Sequence, residues 1–105
     1  MAMDLEQVER DGAPVIRVTG EVDLYSSPKL REALLKAIPK AVEEVGIDLS
    51  GVTYMDSSGV ATLVEGLKAS GQKNARFVLV TPSQAVMKVL QLSRLDSVFD
   101  IREAD

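Results

Sequence analysis

The sequence predicts a single α/β domain: a small mixed β-sheet of about four to five strands, with three or more amphipathic helices packed mainly on one face. Three observations predict it. The 105 residues suffice for one domain spanning 1–105 and fall short of two. Apolar residues make up 46% and charged residues 27%, the balance of a chain that folds on its own. After an opening pair of strands, helical and extended periodicities alternate, so right-handed crossovers join the later strands in parallel.

The elements follow in order. Residues 3–10 read as a weak first strand, and Asp11-Gly12 is a turn dipeptide leading into Val15, Ile16, Arg17 and Val18. After Gly20 the segment from Glu21 to Ser26 is polar. Ser27-Pro28 then reads as a helix N-cap followed by proline at the first helical position. Leu30, Ala33, Leu34, Ala37 and Ile38 fall on one helical face, and Pro39 stops that helix. Glu43 and Glu44 read as a solvated helix end. Val45, Ile47 and Leu49 alternate with Gly46 and Asp48 as a strand, which is expected to end at Ser50-Gly51.

A second helix is expected over residues 58–70, on the stripe Val60, Leu63, Val64 and Leu67, with Gly71 as its C-terminal cap. The unbroken run Phe77, Val78, Leu79, Val80 predicts a strand covered on both faces and central in the sheet. Pro82-Ser83 opens a third helix with Ala85, Val86, Val89 and Leu90 inward, and Val98, Phe99 and Ile101 suggest a small edge strand. One face of the sheet is expected to remain partly open.

Composition excludes several chemistries. With neither His nor Cys, the chain has no Ser/His/Asp triad, no thiol nucleophile and no ordinary zinc site, so no catalytic or metal-ligating residue is assigned. Absence of Cys agrees with a reducing compartment, and cytoplasm is the expectation. No apolar stretch approaches the roughly 20 residues that cross a bilayer, and Met1 to Arg10 lacks the order of a signal peptide, so no membrane insertion is expected. A net charge of -4, without a basic block, argues against direct nucleic-acid binding. The glycines form no G-x-G-x-x-G or Walker pattern, so no cofactor is expected. A mildly acidic domain points toward a protein partner.

The informative segment runs from Asp48-Leu49-Ser50-Gly51-Val52 to Met55-Asp56-Ser57-Ser58-Gly59. It joins a strand to a helix and sets Asp56, Ser57 and Ser58 where that helix begins. The first N–H groups of a helix lack internal partners and carry about half a positive charge, so oxygen acceptors and anions are welcome there. Two readings fit: Asp56 or Ser57 merely caps the helix, or one of the serines is phosphorylated. Spacing does not decide between them. A nucleophilic serine lacks a base, since Lys68 sits almost three turns from Ser57, which removes a small hydrolase from consideration.

The same run, preceded by Gly20-Glu21-Val22-Asp23, resembles the STAS-domain anti-sigma factor antagonists over nearly the whole chain. The resemblance implies a STAS fold and a binding protein, not an enzyme. It also implies phosphorylation of the serine after the Asp, Ser57, by an anti-sigma factor that is itself an ATP-dependent serine kinase; Ser58 is the second choice. Unmodified, such an antagonist binds the anti-sigma factor and liberates sigma. Phosphate at Ser57 adds bulk and charge at the docking face, repelling acidic groups or leaving polar groups unpaired, and a phosphatase resets the system.

Asp23 matches the family's loop Asp, and reads either as a surface-turn carboxylate or as a partner contact. With Asp56, Ser57, Ser58 and Gly59 it forms the expected partner-binding set. Gly59 is expected to keep the surface low so that a partner approaches the backbone, while Met55 and Tyr54 read equally as core or partner-facing. The alternative keeps the fold: a STAS accessory subunit of a membrane lipid-transport (ABC-type) complex, which the start of the second helix, Val60 to Glu65, also resembles. A monomer or a weak dimer through an exposed sheet edge is expected.

Overall fold

Strand β1 (Met3–Arg10) turns back into β2 (Ala13–Val22) through Asp11 and Gly12, whose φ of 54° and 82° put both turn residues in the left-handed region. That is the two-residue hairpin connection whose twist matches paired strands. From there the chain alternates: α1 (Ser27–Ala37), a single 3-10 turn (Ile38–Lys40), β3 (Glu44–Met55), α2 (Ser57–Gln72), β4 (Arg76–Val80), α3 (Gln84–Leu92) and β5 (Asp100–Arg102). The structure is a computed structural model and describes residues 2–103. The five strands lie in chain order, with β1 antiparallel to β2 and every later pair parallel.

Because the order never reverses, each right-handed crossover returns on the same side, and all three helices cover one face. Leu30 and Leu34 of α1, Val60 and Leu63 of α2, and Val86 and Leu90 of α3 share one apolar cluster with Ile16, Val18, Ile47, Leu49, Phe77 and Leu79. The other face carries no helix. There Val15, Gly46 and Val78 lie side by side across β2, β3 and β4, and Val78 is fully buried. Its cover is an ion pair: Arg102 donates two hydrogen bonds to Glu44, at 2.9 and 3.0 Å, spanning β4 from β5 to β3. Long charged side chains commonly shield apolar surface in this way. The strand is thus covered on both faces as expected, although it stands fourth of five and β3 is the central one.

Four local expectations are corrected. First, α1 is preceded by Ser26, one residue earlier than expected, and no side-chain bond caps it; Ser27 is buried inside the first turn. Second, Glu44 is no solvated helix end. It opens β3 and is held between Arg102 and Arg76, the latter at 3.2 Å.

Third, β3 does not stop at Ser50-Gly51 but continues to Met55, pairing with β2 across two register shifts. Gly51 permits this, since a Cβ there would stand 2.7 Å from Thr19 Cγ2. The Asp48 carboxylate accepts from the Ser50 N–H and hydroxyl at 3.0 and 2.8 Å, bracing the irregularity. Fourth, α2 passes through Gly71 to Gln72, and the left-handed residue that ends it is Asn74, with φ 62°. Asn tolerates that conformation almost as readily as Gly.

Candidate functional site

The extension of β2 and β3 beyond β4 carries two loops side by side at one end of the molecule. Val22 pairs with Met55, and the Asp56 N–H donates to the Val22 carbonyl at 3.2 Å, so the residues that follow each strand leave from adjacent points. Asp56 is extended, with φ -109° and ψ -170°, and caps α2. Its carboxylate accepts from the Ser58 N–H at 2.9 Å and from the Ser58 hydroxyl at 2.5 Å. Its carbonyl accepts from the Gly59 and Val60 N–H groups at 3.1 and 3.2 Å. Asp56 therefore accepts from the N–H groups of Ser58, Gly59 and Val60 in the first turn.

This division of labour separates the two serines. Ser58 is half-buried and its hydroxyl is engaged by the cap. Ser57, the first residue of α2, is exposed, and its hydroxyl takes no part in the hydrogen bonds that fix the turn. The helix N-terminus beneath it is the kind of place where added negative charge is tolerated.

Gly59 has a reason internal to the protein. It is buried, and a Cβ there would stand 2.7 Å from Met55 Cγ and 2.9 Å from Val22 Cγ1. It seats α2 against the ends of β2 and β3, so its missing side chain faces the core and not the surface. Met55 is likewise core, whereas Tyr54 is half-exposed.

Asp23 sits in the neighbouring loop and organises it. One carboxylate oxygen accepts from the Tyr25 N–H at 2.9 Å, the Ser26 N–H at 3.0 Å and the Ser26 hydroxyl at 3.2 Å. The Ser26 hydroxyl in turn accepts from the Asp23 N–H at 2.9 Å and lies 2.8 Å from the Glu21 carbonyl. Donation from the Ser26 N–H, aided by the Ser26 hydroxyl and the Tyr25 N–H, holds the Asp23 carboxyl below its ordinary value. The sequence reading missed Ser26, Leu24 and Tyr25. The Asp-x-x-Ser spacing was the available signal for the first, and two bulky apolar residues in a polar loop for the others.

Among the described residues no group of His, Cys, Asp and Glu is placed to hold a metal ion, and no helix is long and apolar enough to cross a membrane. A concavity of about 790 Å³ lies at the far end of the helix-free face, above Gly46 and between Arg10, Arg76 and Arg102. Those cations are matched there by Glu44, Asp11, Glu43 and Glu103, and the concavity is remote from the Asp56 loop.

The chain is thus a mixed sheet covered on one face by helices, with a capped serine turn following the carboxyl end of β3. Residues 5–102 match the family model described as "Mlab, STAS domain", and the chain belongs to the STAS domain family. It is 32% identical to the anti-sigma-B factor antagonist of Listeria monocytogenes, over all of this chain and 93% of that protein. An anti-sigma factor antagonist from Mycobacterium paratuberculosis superposes with a TM-score of 0.86 at 26% identity, over 96% of this chain and 86% of that one. The anti-sigma factor antagonist SpoIIAA in its unphosphorylated form gives a TM-score of 0.78 at 31% identity, over 99% and 89%. The phosphorylated form of SpoIIAA, a Bacillus cell fate determinant, gives 0.73 at 30%, over 99% and 92%.

Proposed function

We propose that this protein is a cytoplasmic anti-sigma factor antagonist that binds an anti-sigma factor with serine kinase activity, and that phosphorylation of Ser57 dissolves the complex. The observation that carries the reading is the contrast between the serines: Ser57 is exposed and uncommitted, while Ser58 is locked to Asp56. A kinase needs a hydroxyl it can reach. The antagonist names of the relatives, and the two phosphorylation states in which SpoIIAA is known, support the same reading.

The chemistry of release follows from charge and space. A phosphoserine carries about -1.5 to -2 charges at pH 7. At Ser57 these add to Asp56 and to the carboxylates of Glu21 and Asp23 in the neighbouring loop, repelling acidic groups of a partner or leaving its polar groups unpaired. Each 1.4 kcal/mol of mismatch weakens binding about tenfold, so a few kcal/mol separates a tight complex from none. The scaffold stays folded, because the cap on α2 is made by Asp56 and not by Ser57. A phosphatase acting on the same exposed position completes the cycle.

The test has two parts. Affinity capture from the native cell extract, with identification by mass spectrometry, yields a soluble anti-sigma factor if the reading is right. Recovery of a membrane lipid-transport complex instead decides for an accessory subunit. Incubation of the captured factor with ATP then places phosphate on Ser57, and Ser57→Ala abolishes it; equal modification of Ser57→Ala contradicts the assignment.

A further inference from the structure

The loop that leaves β2 displays two large apolar side chains. Leu24 is 69% exposed and Tyr25 is 91% exposed, yet the backbone beneath them is fixed. Asp23 holds the N–H groups of Tyr25 and Ser26, the Ser26 hydroxyl lies between the Asp23 N–H and the Glu21 carbonyl, and the Ser27 N–H closes on the Asp23 carbonyl at 2.8 Å. Apolar groups held in water on an ordered turn lose little further freedom when a partner covers them. That preorganisation, together with an aromatic ring, marks the strong anchors of protein interfaces.

Their position ties them to Ser57. Val22 and Met55 are paired neighbours at the two strand ends. Paired strands stand about 5 Å apart, and three residues of chain reach at most about 10 Å. Tyr25 and Ser57 are therefore within roughly 20 Å of each other. A standard interface, about 800 Å² per partner, corresponds to a disc about 30 Å across and takes in both. Tyr54, 48% exposed and opposite Glu21 in register, adds a second ring to that end. The charge there is mainly negative: residues 18–28 and 49–64 contain Glu21, Asp23 and Asp56 but no Lys or Arg, and the nearest cation to Tyr25 along the chain is the exposed Lys29 in the first turn of α1.

We infer that Leu24 and Tyr25 form the apolar anchor by which the chain grips its anti-sigma factor, entering a hydrophobic slot bordered by Lys or Arg side chains that face Glu21, Asp23 and Asp56. Asp23 is then a positioning residue, whose carboxylate holds the turn that presents Tyr25. This rests on the reading of the chain as an antagonist, and deepens it by naming the recognition chemistry.

The experiment is calorimetric titration of the purified anti-sigma factor that the wild-type chain captures. Tyr25→Ala raises Kd about thirtyfold or more, Leu24→Ala raises it at least about fivefold, and Tyr25→Phe stays within about twofold. Val42→Ala, at an 87% exposed valine near the opposite end of β3, stays within about twofold. Asp23→Ala weakens binding, and adding Tyr25→Ala to it costs much less than Tyr25→Ala alone, because the two side chains act as one unit. Wild-type binding with an unchanged Kd for Tyr25→Ala overturns the anchor and leaves the antagonist reading intact. Full additivity of the Asp23 and Tyr25 variants overturns the positioning role. Absence of any wild-type complex overturns both readings together.

Discussion

Replacing glycines of α2 by alanine, one at a time, separates packing from exposure along a single helix. At Gly59 a methyl group meets Met55 Cγ at 2.7 Å, Val22 Cγ1 at 2.9 Å and Met55 Sδ at 3.2 Å. Overpacking of this kind costs about 1–3 kcal/mol, and the better helical propensity of alanine returns up to about 1 kcal/mol. The net expectation is a loss of about 1–2 kcal/mol, or a fall in Tm of about 5–10 °C for a domain of this size. At Gly71 nothing lies within 4 Å of the new methyl, and the backbone there is helical. Gly71→Ala therefore stabilises by about 0.5–1 kcal/mol. Urea titration followed by far-ultraviolet circular dichroism reads both variants against wild type. If Gly59→Ala is as stable as Gly71→Ala, the claim that Gly59 seats the helix on Met55 and Val22 is wrong, and a direct partner contact regains its place.

Other perturbations probe the cap, the helix-free face and the core. Asp56→Ala removes the acceptor of the Ser58 N–H and lowers stability by about 1 kcal/mol, while Asp56→Asn keeps most of it; urea midpoints distinguish the two. Glu44 has its carboxyl held below the ordinary value, first by the Arg102 hydrogen bonds and then by the charges of Arg102 and Arg76. A folded-state value below the unfolded one gives stability that is present above the unfolded carboxylate range and lost as pH falls through the folded value. Glu44→Gln therefore lowers stability at pH 7 and flattens its decline in acid, measured by thermal melts across that range. Leu63→Ala empties a fully buried site under α2 and costs about 2–5 kcal/mol, read from the same urea curves.

What was legible in the sequence was what depends on neighbours along the chain. The Asp11-Gly12 hairpin, the stripe from Leu30 to Ile38 and the Ser83 cap of α3, whose hydroxyl accepts from the Val86 N–H at 3.3 Å, are local patterns. What was not legible depends on contacts across the sheet. Nothing near Glu44 in sequence announces that Arg76 and Arg102 converge on it. Ser50-Gly51 reads as a stop because its pairing with Thr19 follows a register shift in which β3 carries one residue more than the facing stretch of β2, and that depends on the neighbouring strand. Gly71 looked like a helix end because a glycine near the end of an apolar stripe usually is one, yet Asn74 took the left-handed position.

The site divided in the same way. That Asp56 opens a helix with serines behind it was evident from order and residue type. Which serine the cap consumes was not, because that depends on the turn by which the Asp56 carboxylate reaches the Ser58 N–H and hydroxyl. Asp23 left two readings open, and its three accepted hydrogen bonds now give it a structural task in its own loop.

The most direct test of the account is the affinity of the anti-sigma factor for this chain before and after stoichiometric phosphorylation, with the modified residue mapped on the same sample. Phosphate on Ser57 alone, an unaltered fold, and binding weakened about a hundredfold or more are expected. Phosphate on Ser58, or a complex that survives complete modification of Ser57 at the same Kd, contradicts it.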